Sequence, residues 1–177
     1  MTNQLQVGAH FLGHGKDRFA AHRGLGITRL NYKVAAGDTD GRLFVTEQTM
    51  LAKGGPPRHL HLEQEEWFYS LDGTFLLEVG QDRFTLNPGD SAFAPRRIPH
   101  VWAYVGTGPG RLLIAFTPAG QMEAFFQAVA TTNAMPTQDP TLWRVHGMEV
   151  VGPPFPVDEI WYPAGGEQIQ EAGRAAP

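Results

Sequence analysis

Residues 54–73 read Gly54-Gly55-Pro56-Pro57-Arg58-His59-Leu60-His61-Leu62-Glu63-Gln64-Glu65-Glu66-Trp67-Phe68-Tyr69-Ser70-Leu71-Asp72-Gly73. The paired glycines and prolines break the preceding element, so a strand over residues 58–63 is predicted to start afresh behind them. His59 and His61 stand two apart in it. Side chains of a strand alternate between its faces, so both imidazoles point the same way and can share one ion. Glu66 follows five residues after His61. It lies past a bend at residues 62–65, where an adjacent antiparallel strand would turn its carboxylate toward the same point. Glu65 is its rival for that position.

Outward from this stretch the chain alternates short apolar segments with turn residues. Strands are predicted over residues 42–51, 66–71, 74–79, 83–86, 91–94, 100–105 and 111–117. Their separators, Asp72-Gly73, Gly80-Gln81, Asn87-Pro88-Gly89-Asp90 and residues 106–110, carry turn chemistry. In Asn87-Pro88-Gly89-Asp90 the proline presets a negative φ and the glycine takes a positive one, as a type II turn requires. Many short strands at this spacing predict an all-β sandwich or barrel, in which a jelly roll leaves few exposed edges. Residues 1–40, with an apolar run at 27–34, read as leading strands on or beside the barrel. After Pro118, Met122, Phe125, Phe126 and Val129 recur at helical spacing, predicting a helix against the outside of the barrel. A second short helix is expected at 141–146, then a Pro/Gly-rich extended run from Gly152 and a polar, disordered end. The expectation is one domain over 1–177, with the core barrel at about 40–118, N-terminal strands over 1–40 and helix and tail over 119–177.

Composition narrows the partners. The formal charge of -4 comes without any Lys/Arg run, so neither phosphate backbones nor anionic lipid find a footprint. No segment is apolar for long enough to span a bilayer, and the start lacks a basic stretch followed by an apolar one, so a cytoplasmic protein is expected. There is no cysteine, and any metal must therefore be held by imidazole and carboxylate. His100, directly after Pro99 at the head of a later strand, is a candidate fourth ligand from a neighbouring barrel strand. Such a set suits one divalent Fe, Mn, Ni, Co, Cu or Zn ion and leaves a coordination position open. His10, His14, His22 and His146 fit no comparable pattern and read as surface or core residues. Arg58, Arg96 and Arg97 read as solvated, and Asp72 and Asp90 as turn residues.

The stretch from Gly54 to Gly73 resembles the first motif of the cupin superfamily, a HisXHis pair followed by Glu and, further on, Gly. Glu66 and Gly73 satisfy that spacing together; Glu65 satisfies only its first half. Gly89-Asp90-Ser91-Ala92-Phe93-Ala94-Pro95-Arg96-Arg97-Ile98-Pro99-His100 resembles the second motif, with Gly89, Pro95 and His100 in place. Three positions depart: Gly54 lies one residue from the leading glycine's place, Arg97 replaces a glycine, and Tyr104 replaces an asparagine. The resemblance implies a double-stranded β-helix, a jelly-roll barrel with one or two short C-terminal helices, and His59, His61, Glu66 and His100 as metal ligands. The segments around residues 117–129 and 146–154 are similar to the tails of single-domain cupins related to quercetin 2,3-dioxygenase. That likeness implies a metal-dependent dioxygenase acting on a flavonol-like or other enolic or aromatic small molecule, with dioxygen as co-substrate and Glu66 as both ligand and catalytic base.

Alternation puts Phe68 on the face of Glu66, and Trp102 and Tyr104 on that of His100. These three, with Met50, Phe75, Phe93 and Phe116, are the candidate substrate-pocket residues. An aromatic pocket suits a planar enol better than a sugar, which needs more hydrogen-bonding partners. Two alternatives stand beside the dioxygenase. One is a lyase, isomerase or cyclase using the metal as a Lewis acid. The other is a non-catalytic small-molecule-binding protein. A homodimer is expected.

Overall fold

The computed structural model describes residues 8–135 and 139–157. The strands in chain order are β1 (Arg23–Leu25), β2 (Thr28–Val34), β3 (Phe44–Met50), β4 (Pro57–His61), β5 (Glu65–Asp72), β6 (Phe75–Val79), β7 (Asp82–Leu86), β8 (Ser91–Ala94), β9 (His100–Tyr104), β10 (Gly110–Thr117) and β11 (Met148–Pro154). Helices α1 (Met122–Ala130) and α2 (Pro140–Val145) lie between β10 and β11. The strands form two antiparallel sheets, ordered β1-β2-β3-β10-β5-β8 and β11-β4-β9-β6-β7. Consecutive strands that belong to different sheets make this a jelly-roll barrel.

Alternation builds the core. On β3, Phe44, Thr46, Gln48 and Met50 are buried, and on the neighbouring β10 Leu112, Ile114 and Phe116 lie beside them on the same face. The facing sheet contributes Phe75, Leu77, Trp102 and Tyr104. At one end, Phe44 packs against Tyr32, Phe116 and Phe126 with ring centroids 4.9, 6.0 and 6.1 Å away, which ties the N-terminal strands, the barrel and α1 together.

The predicted turns have physical signatures here. Gly89 has φ +96° and the Asp90 N–H donates to the Asn87 carbonyl at 2.9 Å, closing the Asn87–Asp90 turn. Arg97, where the second motif has glycine, takes φ +65°. It is held there because its N–H donates to the His61 carbonyl at 2.7 Å and its Nε to the Leu62 carbonyl at 3.2 Å. An arginine read as merely solvated thus fastens the β8–β9 connection to β4. Arg58 likewise is not free on the surface, since its guanidinium pairs with Glu78.

Two expectations about the chain ends change. The helix predicted to lie against the outside instead buries Met122, Phe125, Phe126 and Val129 over the open end of the barrel, because its apolar face has the interior to cover. The extended run begins at Met148 rather than Gly152 and is a full strand, with Met148 opposite His61 and Val150 opposite His59. The polar end expected to be disordered lies outside the described residues.

Two phenylalanines test this packing. Phe44→Ala should cost about 3–5 kcal/mol in urea unfolding, the range for emptying a buried aromatic site. Phe93→Ala, on the outer face and 53% exposed, should shift stability by no more than about 0.5 kcal/mol. Equal losses would contradict the assigned faces.

Candidate metal centre

β4 and β9 are neighbours, and His59 lies directly opposite His100. His61, two residues on, shares their face. Glu66 comes from β5 in the other sheet, opposite Phe116 of β10 and Ala94 of β8. The barrel's two sheets therefore bring three imidazoles and one carboxylate to a single interior point. One ligand atom from each of His59, His61, Glu66 and His100 lies within 4.8 Å of all the others, and all four residues are buried. Among the described residues no other group of three or more His, Cys, Asp or Glu side chains converges in this way.

The hydrogen bonds of the cluster define what it lacks. The Pro57 carbonyl lies 2.8 Å from His59 Nδ1 and the Ile98 carbonyl 3.1 Å from His100 Nδ1. A carbonyl only accepts, so each Nδ1 carries a proton and each ring turns its Nε2 inward. His100 Nε2 sits 2.8 Å and His61 Nε2 3.1 Å from the same oxygen, Glu66 Oε2. His61 has no well-formed hydrogen bond at either ring nitrogen. Without an ion a hydrogen must lie between such a nitrogen and the carboxylate; with one, the same three imidazoles and carboxylate are ligands of the right kind for a divalent metal. The residues present therefore fit a metal.

Electrostatics favour the ligand-competent forms. Burial pushes the Glu66 carboxyl up, but the His100 and His61 imidazoles against it prevail and hold it well below the usual carboxylate range. Burial, reinforced by the neighbouring His100 and His61, holds His59 well below the usual imidazole range and so neutral. Glu65, the rival, faces outward and receives the Arg96 guanidinium, with Nη2 2.8 Å from Oε2.

A narrow cavity of about 30 Å³ opens on the cluster, touching His59, His61 and Glu66, with room for water but not for a flavonol ring system. Of the candidate pocket residues, Trp102 and Phe116 line it. Phe68 packs edge-on against His100 at 6.2 Å, while Met50, Phe68 and Phe75 are fully buried in the core without lining the cavity. Tyr104 is wedged against Gly73, Gly106 and Gly110, where any added Cβ would meet its ring, and its hydroxyl donates to the Gly108 carbonyl. It closes the loop end of the barrel instead of facing a ligand. Phe93 points outward from β8, opposite Trp67 of β5. Sequence reading missed the other walls: Met122, Phe125 and Phe126 of α1, Trp143 of α2 and Gln48 of β3. The helical spacing of the first three was visible, but not the surface they would cover.

Folded His59 resists the proton that an ordinary histidine takes up near pH 6.5. Below that value the unfolded chain binds more protons than the folded one, so the metal-free fold loses stability as pH falls. Melting the metal-free protein between about pH 7.5 and 5 should show a falling Tm, and His59→Gln should flatten the slope. A wild-type Tm independent of pH would contradict this environment for His59.

A family model described as Cupin domain matches residues 46–116, a span that includes all four clustered residues. Uncharacterized protein MJ1618 of Methanocaldococcus jannaschii is 30% identical over 60 residues, covering 34% of this chain and 48% of that protein. The chain thus spans about half the length of this curated relative. KdgF from Halomonas sp. superposes with a TM-score of 0.53 at 19% identity, over 63% of this chain and 94% of that one. An RmlC-like cupin from Shewanella frigidimarina NCIMB 400 gives 0.52 at 21% identity, over 66% and 96%. At such identities the likeness is one of fold. The stretch matching the Cupin domain is the one that assembles the His–Glu cluster, and the fold around it is a cupin β-barrel.

Proposed function

We propose that this protein is a metal-dependent dioxygenase of a compact, planar enolic or aromatic molecule, with His59, His61, Glu66 and His100 holding the metal. The observation that carries the reading is the setting of the cluster: three histidines and one glutamate, buried, opening onto a slot walled by Trp102, Phe116, Phe125 and Trp143. A sugar or sugar phosphate would leave most of its hydroxyls unpaired against such walls. A flat ring bearing an acidic hydroxyl leaves few.

A divalent metal bound there would supply Lewis-acid polarisation of the substrate oxygens and, if redox-active, electron transfer to dioxygen. The chain's own groups do the rest. Glu66 Oε2 is engaged by His61 and His100, whereas Oε1 makes no hydrogen bond among the described residues and can take the proton of an acidic hydroxyl. The imidazoles hold the carboxylate ionised and so able to accept a proton, at the cost of lower basicity, which suits a substrate hydroxyl made acidic by a metal. Pro57 and Ile98 fix the planes of His59 and His100 through their Nδ1–H groups, so little reorganisation accompanies binding. The indole of Trp143, 5.1 Å from the His59 ring, and Phe125 behind it keep bulk water away. At about 30 Å³ the slot takes any of these rings only if side chains of α1 and α2 move aside, and hydroxypyranones or catechols ask for less movement than flavonols.

Protein purified without chelator or polyhistidine tag should contain close to one transition-metal ion per chain. Oxygen-electrode assays against hydroxypyranones, catechols and flavonols should then show uptake with at least one of the smaller rings. Glu66→Gln should lower that activity by about 100-fold or more while retaining some metal. Glu65→Gln, on the outer face, should leave it within about twofold. Metal without oxygen uptake would move the assignment to a non-oxidative Lewis-acid enzyme or a binding protein, and equal effects of the two glutamine variants would remove Glu66 from its role.

A further inference from the structure

We infer that Gln48 is a specificity-determining residue of the same cavity, whose side-chain amide hydrogen-bonds a substrate oxygen remote from the metal-facing end. The inference rests on the proposed enolic substrate and adds which second polar feature that substrate carries. Gln48 lies on β3, between β2 and β10, opposite Leu30 and Leu112. It is only 3% exposed, and it lines the cavity that His59, His61 and Glu66 also line. Of the other residues lining the cavity, Leu25 and Ile114 are apolar and offer an amide no partner. Among the described residues its amide has no hydrogen-bond partner.

A buried amide without a partner costs free energy, and such a group in a folded protein calls for an explanation. Thr46, two residues earlier on the same face, provides the contrast. Its hydroxyl is fully buried without a partner, but it does not line the cavity. Gln48 differs in facing space that a ligand can enter. An amide offers both a donor and an acceptor, so it can read either a carbonyl or a hydroxyl. Sites built around such a group discriminate strongly against analogues that lack the matching oxygen, because the amide is then left unpaired. Glu66 is on β5, with β10 between it and β3. The two polar contacts therefore act on different parts of one molecule and fix its orientation.

The test uses the full chain loaded with Co(II) under anaerobic conditions, with binding read from the visible spectrum of the metal. The probes are two matched pairs differing only in a hydroxyl remote from the chelating oxygens: kojic acid with allomaltol, and 4-hydroxymethylcatechol with 4-methylcatechol. Wild-type protein should prefer the hydroxylated member of at least one pair by about tenfold. Gln48→Met, which keeps the length of the side chain, should abolish the preference while metal content stays the same and the Tm of the metal-free protein holds or rises. No preference in wild type, a preference that survives Gln48→Met, or a Tm lowered by the substitution would each overturn the inference. If none of the four probes perturbed the cobalt spectrum, the enolic-substrate reading would itself fall, and this inference with it. Probes that bind without discrimination would remove the role of Gln48 alone.

Discussion

Three imidazoles and a carboxylate share one buried point in this barrel, and the rest of the site depends on the electrostatics of that crowding. Removing charge from water costs on the order of several kcal/mol per ion, and the cost is recovered only where partners are close and well oriented. Here orientation comes from backbone carbonyls. Pro57 and Ile98 hold Nδ1 of His59 and His100, which turns each Nε2 inward, that of His100 onto Glu66 Oε2. Four potential ligands already turned to one point need little rearrangement to take up a divalent ion in place of the protons between them, so the preset geometry argues for a metal beyond the count of ligands.

The fold meets this constraint through register. His59 and His100 face each other across one strand pair, while Glu66 reaches the same point from the opposite sheet. A slip of one residue in β4 would send both histidines of the pair outward. Several features protect against such a slip. Gly54 bridges to Tyr104 in both directions, at 3.1 and 2.9 Å, and a Cβ on Gly55 would meet the Trp102 carbonyl oxygen. Arg97, in its left-handed conformation, holds the far end of β4 through the His61 carbonyl. The departures at Gly54 and Arg97 therefore sit at the fastenings of the register, and the geometry a glycine would have supplied at 97 is supplied by hydrogen bonds.

How much of this was legible in the sequence follows from the range of the forces involved. Strand alternation and turn chemistry are local, so β3 to β10 and the common face of His59 and His61 could be read directly. The choice between Glu65 and Glu66 was open from the residues, because it depends on how the chain bends between β4 and β5; the motif spacing favoured Glu66, whose carboxylate is the one in the cluster. Contacts between distant elements were not legible. The helical spacing of Met122, Phe125 and Phe126 identified an apolar face but not the barrel mouth that it covers. Phe93 and Phe68 look alike as strand aromatics, yet one faces solvent and the other the core, since the pairing of β8 with β5 sets Phe93 beside Trp67 on the outer face. Tyr104 read as a pocket residue because nothing local reveals the three glycines that surround its ring.

Burial of the mouth by α1 and α2 changes what the cluster can act upon. A metal in an open barrel would meet water and polar solutes, whereas one behind Phe125, Phe126 and Trp143 meets molecules able to lose their hydration at little cost. The walls supply dispersion and ring contacts but few hydrogen bonds. Selectivity among flat, apolar molecules must then rest on the few polar groups that remain, since apolar walls discriminate weakly between ligands of similar shape. Apart from the ligands themselves, the lining side chain that can both donate and accept is Gln48. A site that is otherwise oily gains direction from one amide: the metal end would select for acidity and chelation, and the amide for where the next oxygen lies.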